Sequence, residues 1–321
     1  MKTALVCGGT GFIGHHLAKR LKSEGYHVTV VDIKMYEYGE LDFCDRFMQG
    51  DLRVQSFCDY LFQQSFDEVY QLAAEMGGCQ YIFTGDHDAD IMDNSVQINL
   101  NVCKRLNEGQ KVLYTSSACM YPQEKQTIPN INGLKESDAY PANPDSEYGW
   151  EKLFSERLYM AYRRNKGLSI RIARLHNVYG TEGTYKGGRE KAPASICRKV
   201  AEATDKVQIW GSGEQTRSFL YVDDCVDALR LLMDSSWQFP LNVGSEEQVS
   251  INELWQTAID VSGKNISIER VDRPDGVLGV MGRSSDNTNV EFALKWRPKH
   301  TLRQGIEKTY KWIHGRVTDN K

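Results

Sequence analysis

Tyr148 and Lys152 stand four residues apart in a stretch, 147–164, where Leu153, Leu158 and Tyr159 recur at near-helical spacing. The two side chains therefore share one face of an expected helix. A phenol beside an ammonium is an acid/base pair. Their ordinary pKa values are about 10 and about 10.4, and a nearby positive charge favours phenolate, which brings the tyrosine towards neutrality. Just upstream, residues 111–116 read as a buried strand that delivers Ser116, Ser117, Ala118 and Cys119 to its carboxyl end. The Cys119 thiol, at about 8.5 when unperturbed, is a second acid/base candidate there, against the plainer reading of a packing cysteine. Lys191 precedes Pro193 at an expected helix start. A cation gains nothing from the positive end of a helix, which favours a functional lysine over a solvated one.

Other elements must hold a ligand against these groups. Residues 3–7 read as a strand, followed by the turn Gly8-Gly-Thr-Gly-Phe-Ile-Gly14 and a helix to about residue 23. Strand, glycine turn and helix form the context of a dinucleotide fingerprint, here with glycines at 8, 11 and 14 and with Phe12 and Ile13 opening the helix. The glycines permit a tight turn, approach of backbone N–H groups to a pyrophosphate, and close helix packing. A second strand, 27–31, ends in Asp32. Its carboxylate lies about 20 residues on, where it accepts from an adenosine ribose and repels a 2′-phosphate, so NAD is favoured over NADP.

Residues 47–51 look like a third strand whose closing Asp51 either meets an adenine amino group or caps the next helix. A fourth strand is expected over 67–74, ending in Leu72, Ala73 and Ala74, and a glycine loop through Gly77 follows. Asn99, in the helix before the fifth strand, either positions a water or a turn or faces solvent. Further strands are expected at 168–175 and 239–243, helices at 222–233 and 302–313, and two short strands around a glycine turn over 207–219. Ser250 and Glu253 form a capping box. The pattern predicts an α/β fold, a Rossmann-type doubly wound parallel sheet with a smaller C-terminal α/β region. Residues 1–175, with part of 206–250, are expected to bind NAD, and 176–321 mainly the substrate, which lies in the cleft between them.

Composition narrows the alternatives. Net charge is −4, from 39 basic and 43 acidic residues intermixed, which points neither to nucleic acid nor to a membrane surface. The chain has no run of roughly 20 apolar residues, and its first residues enter a strand without a signal-peptide pattern, so a cytoplasmic protein is expected. Eight scattered cysteines with no Cys-x-x-Cys, and seven histidines without ligand spacing, indicate neither disulfides nor a metal site. His15 and His16 are expected to be structural or solvated.

The combination of Gly8, Gly11, Gly14, Asp32 and Tyr148-x-x-x-Lys152 resembles the extended short-chain dehydrogenase/reductase family, which acts on nucleotide-activated sugars. Longer runs are similar to the GDP-mannose 3,5-epimerases within it: Ala74-Glu-Met-Gly-Gly78, Ser116-Ser-Ala-Cys-Met-Tyr-Pro122, Leu134-Lys-Glu-Ser-Asp138, His176-Asn-Val-Tyr-Gly180, Lys186-Gly-Gly-Arg-Glu-Lys-Ala-Pro193, Gln215-Thr-Arg-Ser-Phe219 and Gly282-Arg-Ser-Ser-Asp-Asn287. The resemblance implies NAD-dependent oxidation of a sugar at C4, epimerisation at C3 and C5 beside the new ketone, and reduction at C4. It implies that Tyr148 is the C4 base, Lys152 its partner and a ribose ligand, and Ser117 a donor to the C4 oxygen. Cys119 and Lys191 would be the epimerising pair. Gly77, Ala118, Asn177, Glu190, Ala192, Lys199, Gln215, Arg217 and Arg283 would meet the sugar or its diphosphate; Lys199 and the arginines suit phosphate. A homodimer packed through helices that include the Tyr148 helix is implied too.

Departures from the plant-type pattern are Tyr185 for tryptophan, Glu75 for aspartate and Met120 for isoleucine. Related 4,6-dehydratases carry a glutamate at the place of Cys119 and simple 4-epimerases a small nonacidic residue, so Cys119 speaks against both. Open alternatives are a 4-epimerase, 4-dehydrogenase or dehydratase on a related GDP-sugar such as a GDP-heptose, and a noncatalytic NAD-binding protein.

Overall fold

A computed structural model describes residues 1–272 and 279–318. The first half alternates strands and helices: β1 (Thr3–Cys7), α1 (Phe12–Ser23), β2 (His27–Asp32), β3 (Arg46–Gln49), α2 (Gln55–Leu61), β4 (Glu68–Gln71), α3 (Cys79–Phe83), α4 (Asp88–Cys103), β5 (Lys111–Ser117), α5 (Glu147–Lys166) and β6 (Ser169–Leu175). The second half carries β7 (Val178–Tyr179), α6 (Ala192–Glu202), β8 (Lys206–Trp210), β9 (Thr216–Ser218), β10 (Leu220–Tyr221), α7 (Val222–Asp234), β11 (Pro240–Val243), β12 (Gln248–Ser250), α8 (Ile251–Ser262), β13 (Ser267–Val271), β14 (Gly282–Arg283), α9 (Thr288–Leu294) and α10 (Leu302–Thr318).

Seven strands form one parallel sheet in the order β11-β6-β5-β4-β1-β2-β3. Both faces are covered, as the period-2 geometry of a strand requires. Along β1, Ala4 and Val6 join the apolar cluster on one face, while Leu5 and Cys7 join the cluster on the other. The chain runs outward from β1 through β2 to β3, then crosses to β4 on the opposite side. That reversal lies between β1 and β4, and open α/β sheets bind ligands outside the carboxyl ends of the strands at such a point. The smaller region stacks α10 against α6 and α8.

Two local expectations are corrected, and one left open at Asn99 is decided against solvent. The fourth strand stops at Gln71 rather than at residue 74, because the Gln71 side chain folds back onto the Ala73 carbonyl (3.0 Å). The strands within 207–219 exist but do not pair with each other: β8 pairs with β13, and β9 lies between β12 and β14. Asn99 is buried, linked to Gln71, Glu151, Ser155 and Tyr159 at 3.0–3.2 Å. The Ser250 and Glu253 capping box is present. No helix among the described residues is long and apolar enough to cross a membrane.

Candidate active site

The glycine turn joins β1 to α1 at the sheet's reversal point. Gly8 has a φ of +76°, open to glycine, and a Cβ there would stand 2.9 Å from the Ala73 backbone. At Gly14 a Cβ would come 2.1 Å from the Gly8 carbonyl oxygen, so this glycine lets α1 begin directly on the turn. Phe12 and Ile13 form the start of α1, and Gly183 from a distant loop lies against the Phe12 ring. Asp32 ends β2, with its carboxylate accepting from the Thr10 backbone at 3.1 Å and from the Lys34 backbone at 3.3 Å. Leu72, Ala73 and Ala74 continue from β4 beside this turn, the Leu72 N–H donating to the Cys7 carbonyl. The cradle fits a dinucleotide: glycines where side chains would collide, and a carboxylate at the end of the second strand. Asp51 is engaged instead by Arg53, which binds both its oxygens at 2.7–3.0 Å and holds its carboxyl below the usual range. It closes a turn rather than capping α2, whose cap residue is Val54.

At the carboxyl end of β5 the chain enters a short helical turn, and the Cys119 N–H donates to the Ser117 hydroxyl at 3.2 Å. Ala118 is buried beneath it. The first turn of α5 lies against this segment because position 149 is glycine: a Cβ there would come 2.2 Å from the Cys119 carbonyl oxygen. Tyr148 and Cys119 consequently share one small cluster with Tyr81, Ile82 and Ile91. Lys152 donates to the Thr115 carbonyl at 3.2 Å, and its ammonium stands 5.1 Å from the Tyr114 ring centre and 5.6 Å from that of Tyr148. The expectation that Lys152 draws Tyr148 towards neutrality is not met by the protein alone. Burial pushes the phenol well up, reinforced by Cys119 and Glu151, while the Ser117 hydroxyl works in the opposite sense. Burial also lowers Lys152, against the charges of Glu151, Cys119 and Glu156.

Lys191 occupies the N-cap position of α6, ahead of Ala192 and Pro193. Burial pushes its ammonium down, and Cys119 and Cys225 act on it in the opposite direction. The loop carrying Lys191 is fixed at several points. Glu182 accepts from Tyr36 at 2.6 Å and pairs with His15 at 2.8 Å, and Tyr38 donates to the Gly183 carbonyl at 3.2 Å. Arg189 pairs with Glu75 at 2.9 Å and covers the Tyr81 ring, which fastens the loop to the residues around Gly77 and Gly78. Gly77 and Gly78 are both tight: added Cβ atoms would strike Tyr81 and the Glu190 carbonyl. Glu190 accepts from Gly188 and pairs with Arg198 at 3.3 Å.

The expected substrate ligands divide into two groups. Asn177, at a φ of +40°, donates to the carbonyl of Ser218 in β9 at 2.9 Å, and Gln215, which precedes Thr216 and Arg217 in sequence, is buried. Burial and the neighbouring Arg283 bring Arg217 down to about 10. Arg283 does not present a guanidinium open to phosphate. It donates to Gln126 (2.5 Å), to the Cys119 sulfur (3.1 Å) and to Asp145 (3.0 Å). Lys199 lies over Trp210 at 4.8 Å and near Trp255 at 6.0 Å, with its ammonium lowered by burial. Sequence reasoning missed Gly149, Asp145, Glu182 and His15 as parts of this arrangement. Only Gly149 left a local signal, a glycine inside a helix, where it costs about 1 kcal/mol relative to alanine.

The comparisons with known proteins agree with this architecture. The chain is 42% identical over 319 residues to GDP-mannose 3,5-epimerase 1 of Oryza sativa subsp. indica, covering 98% of this chain and 82% of that protein. It is also 42% identical to GDP-mannose 3,5-epimerase of Arabidopsis thaliana, over 98% of this chain and 83% of the other. Among solved structures, Pal from Bacillus thuringiensis superposes with a TM-score of 0.86 at 26% identity, covering 98% of this chain and 99% of that one. UDP-glucose 4-epimerase of Thermus thermophilus, solved with NAD, gives a TM-score of 0.81 at 22% identity over 98% and 99% of the two chains. Residues 4–244, which hold the glycine cradle, Cys119, Tyr148 and Lys191, match the NAD dependent epimerase/dehydratase family, and the chain belongs to it.

Proposed function

We propose that this protein epimerises GDP-mannose at C3 and C5 through a transient 4-keto sugar, with NAD as its cofactor. The observation that carries the reading is a second acid/base pair beside the Tyr148 and Lys152 pair. Cys119 lies against the first turn of α5, and Lys191, at the start of α6, interacts electrostatically with that thiol. A 4-epimerase needs only the first pair. The relatives named GDP-mannose 3,5-epimerase, 42% identical over almost the whole chain, support the same reaction and the same sugar.

In this reading the glycine turn holds the pyrophosphate of NAD and Asp32 its ribose; NAD supplies a hydride acceptor and donor at C4. Tyr148 removes the C4 hydroxyl proton while Ser117 hydrogen-bonds the same oxygen. The burial that pushes Tyr148 up makes a phenolate formed there a strong base, suited to a carbinol proton. Lys152 holds the ribose and supplies positive charge over the Tyr148 ring. Once C4 is a ketone, the hydrogens at C3 and C5 are acidic. Inversion needs one group on each ring face, a role divided between Cys119 and Lys191. Asn177, Glu190, Gln215 and Arg217 bind the sugar nucleotide, and Lys199 faces its diphosphate.

Residues 1–175 with part of 206–250 serve NAD in this reading, and most of 176–321 serves the sugar nucleotide. A second copy is proposed to cover α4 and α5, where Met92, Val96, Glu147, Trp150 and Phe154 line a recess of about 490 Å³ and Trp150 and Phe154 are exposed. The cytoplasm is the proposed compartment, in keeping with eight free cysteines.

The deciding experiment is incubation with GDP-mannose in deuterium oxide, followed by NMR of the recovered sugar nucleotide. Deuterium at C3 and C5 with new epimers is expected. An exchange-free sugar from protein that holds NAD would overturn the reading.

A further inference from the structure

The Arg283 guanidinium is buried and shared three ways, among the Gln126 amide oxygen, the Cys119 sulfur at 3.1 Å and one oxygen of Asp145 at 3.0 Å. Asp145 is itself enclosed, its side chain only 7% exposed, and its second oxygen, Oδ1, has no hydrogen-bond partner. A buried polar atom left unpaired is costly. An asparagine could accept from Arg283 in the same geometry, though more weakly. What an aspartate adds at this position is charge, two bonds removed from the sulfur of the candidate epimerising residue.

We propose that Asp145 is a positioning residue for epimerisation: through Arg283 it sets how strongly the Cys119 thiolate is held, and so keeps the sulfur a useful base. This deepens the epimerase reading and rests on Cys119 as one of its acid/base groups. Arg283 gives the Cys119 sulfur a charged hydrogen bond at 3.1 Å. A thiolate held too strongly is a poor base, because stabilising the anion lowers its affinity for a proton. Asp145 sits on the other arm of the same guanidinium. It offsets part of the positive charge there and fixes the fork so that one arm stays on the sulfur instead of turning to a ligand phosphate.

The charged and titratable surroundings give this offset its weight. Electrostatically coupled to Cys119 are Tyr148 and Lys152 of α5, Lys191 at the start of α6, Arg217 of β9 and Arg283 of β14, the last by direct contact. Four of these five are cationic side chains, and Arg283 lies next to Arg217 as well. Asp145 is tied into that set by a direct ion pair and also acts on Arg217.

The test is alkylation of Cys119 by iodoacetamide as a function of pH, in the full-length protein with its bound cofactor. Mass spectrometry of peptide 112–125, which contains Cys119 and no other cysteine, gives the rate. Arg283→Gln is expected to move the midpoint of the rate curve up by about 1 pH unit, and Asp145→Asn to move it down by a similar amount. With GDP-mannose in deuterium oxide at a pH above both midpoints, Asp145→Asn should slow deuterium entry at C3 and C5 by about threefold, although its thiol reacts with iodoacetamide at lower pH. A merely structural ion pair would move both variants in the same direction. Midpoints that shift together, or do not shift, overturn the proposal. Asp145→Ser, read in the same way, decides the matter if the asparagine variant does not fold. Alkylation requires no sugar, so this result stands apart from the identity of the substrate.

Discussion

Gly149 and Cys119 meet backbone to backbone: a methyl group on Gly149 would come 2.2 Å from the Cys119 carbonyl oxygen. That contact brings the helix carrying Tyr148 onto the end of the strand carrying the thiol. The nearest other obstacle is a Pro144 side chain at 2.8 Å, so an added methyl has no free direction. Gly149→Ala is expected to destabilise the protein by about 1–3 kcal/mol and to separate the two acid/base pairs. Thermal unfolding and the rate of deuterium entry into GDP-mannose would both report it, with the rate falling by more than the lost stability explains.

Cys119→Ala should abolish solvent exchange at C3 and C5 while transient NADH formation persists, because C4 oxidation uses Tyr148, Lys152 and Ser117. Absorbance at 340 nm and NMR of the same reaction separate the two steps. Exchange that survives the substitution would remove Cys119 from the epimerising pair.

Lys191→Met is expected to inactivate epimerisation and stabilise the fold. Burial lowers the folded value of Lys191, so the native state binds this proton less readily than the unfolded chain. The cost of burying the charge is present at neutral pH and fades as pH rises towards about 10.4, where the unfolded lysine also loses its proton. Replacement by methionine should therefore raise Tm by about 1–3 °C at pH 7 and by less at pH 10. A lower Tm at pH 7 would contradict this sign.

Glu182 is held down to about 2 by its hydrogen bond with His15, with Tyr36 as a further donor. A depressed carboxylate adds stability above its unfolded value of about 4.3, and that stability is lost as pH falls through the folded value. Glu182→Gln should cost about 1 kcal/mol at pH 7, a figure kept small because the group is partly exposed. The difference from the parent protein should shrink between pH 4.5 and pH 2, as chemical denaturation at each pH would show.

Local patterns revealed the elements whose causes are local. The glycine turn, Asp32 at the end of β2, the helix around Tyr148 and the Ser250 capping box all follow from spacing within a few residues. The partners of β8 and β9 do not, since β8 pairs with a strand about sixty residues away and the glycine turn between them suggested a hairpin. Asn99 looks like any polar helix residue until α5 and β4 close around it. Arg283 carried the features of a phosphate ligand in sequence, and only the fold reveals that Cys119, 164 residues away, and Asp145, 138 residues away, claim its donors.

Because four cations act on one sulfur, the effects of removing them should not sum. Each substitution changes the field in which the remaining three operate, so a cycle of single and double variants should give coupling energies of about 0.5–3 kcal/mol between residues of this set. A tally of single substitutions around Cys119 would assign the same stabilisation several times over, and the group is best treated as one energetic unit.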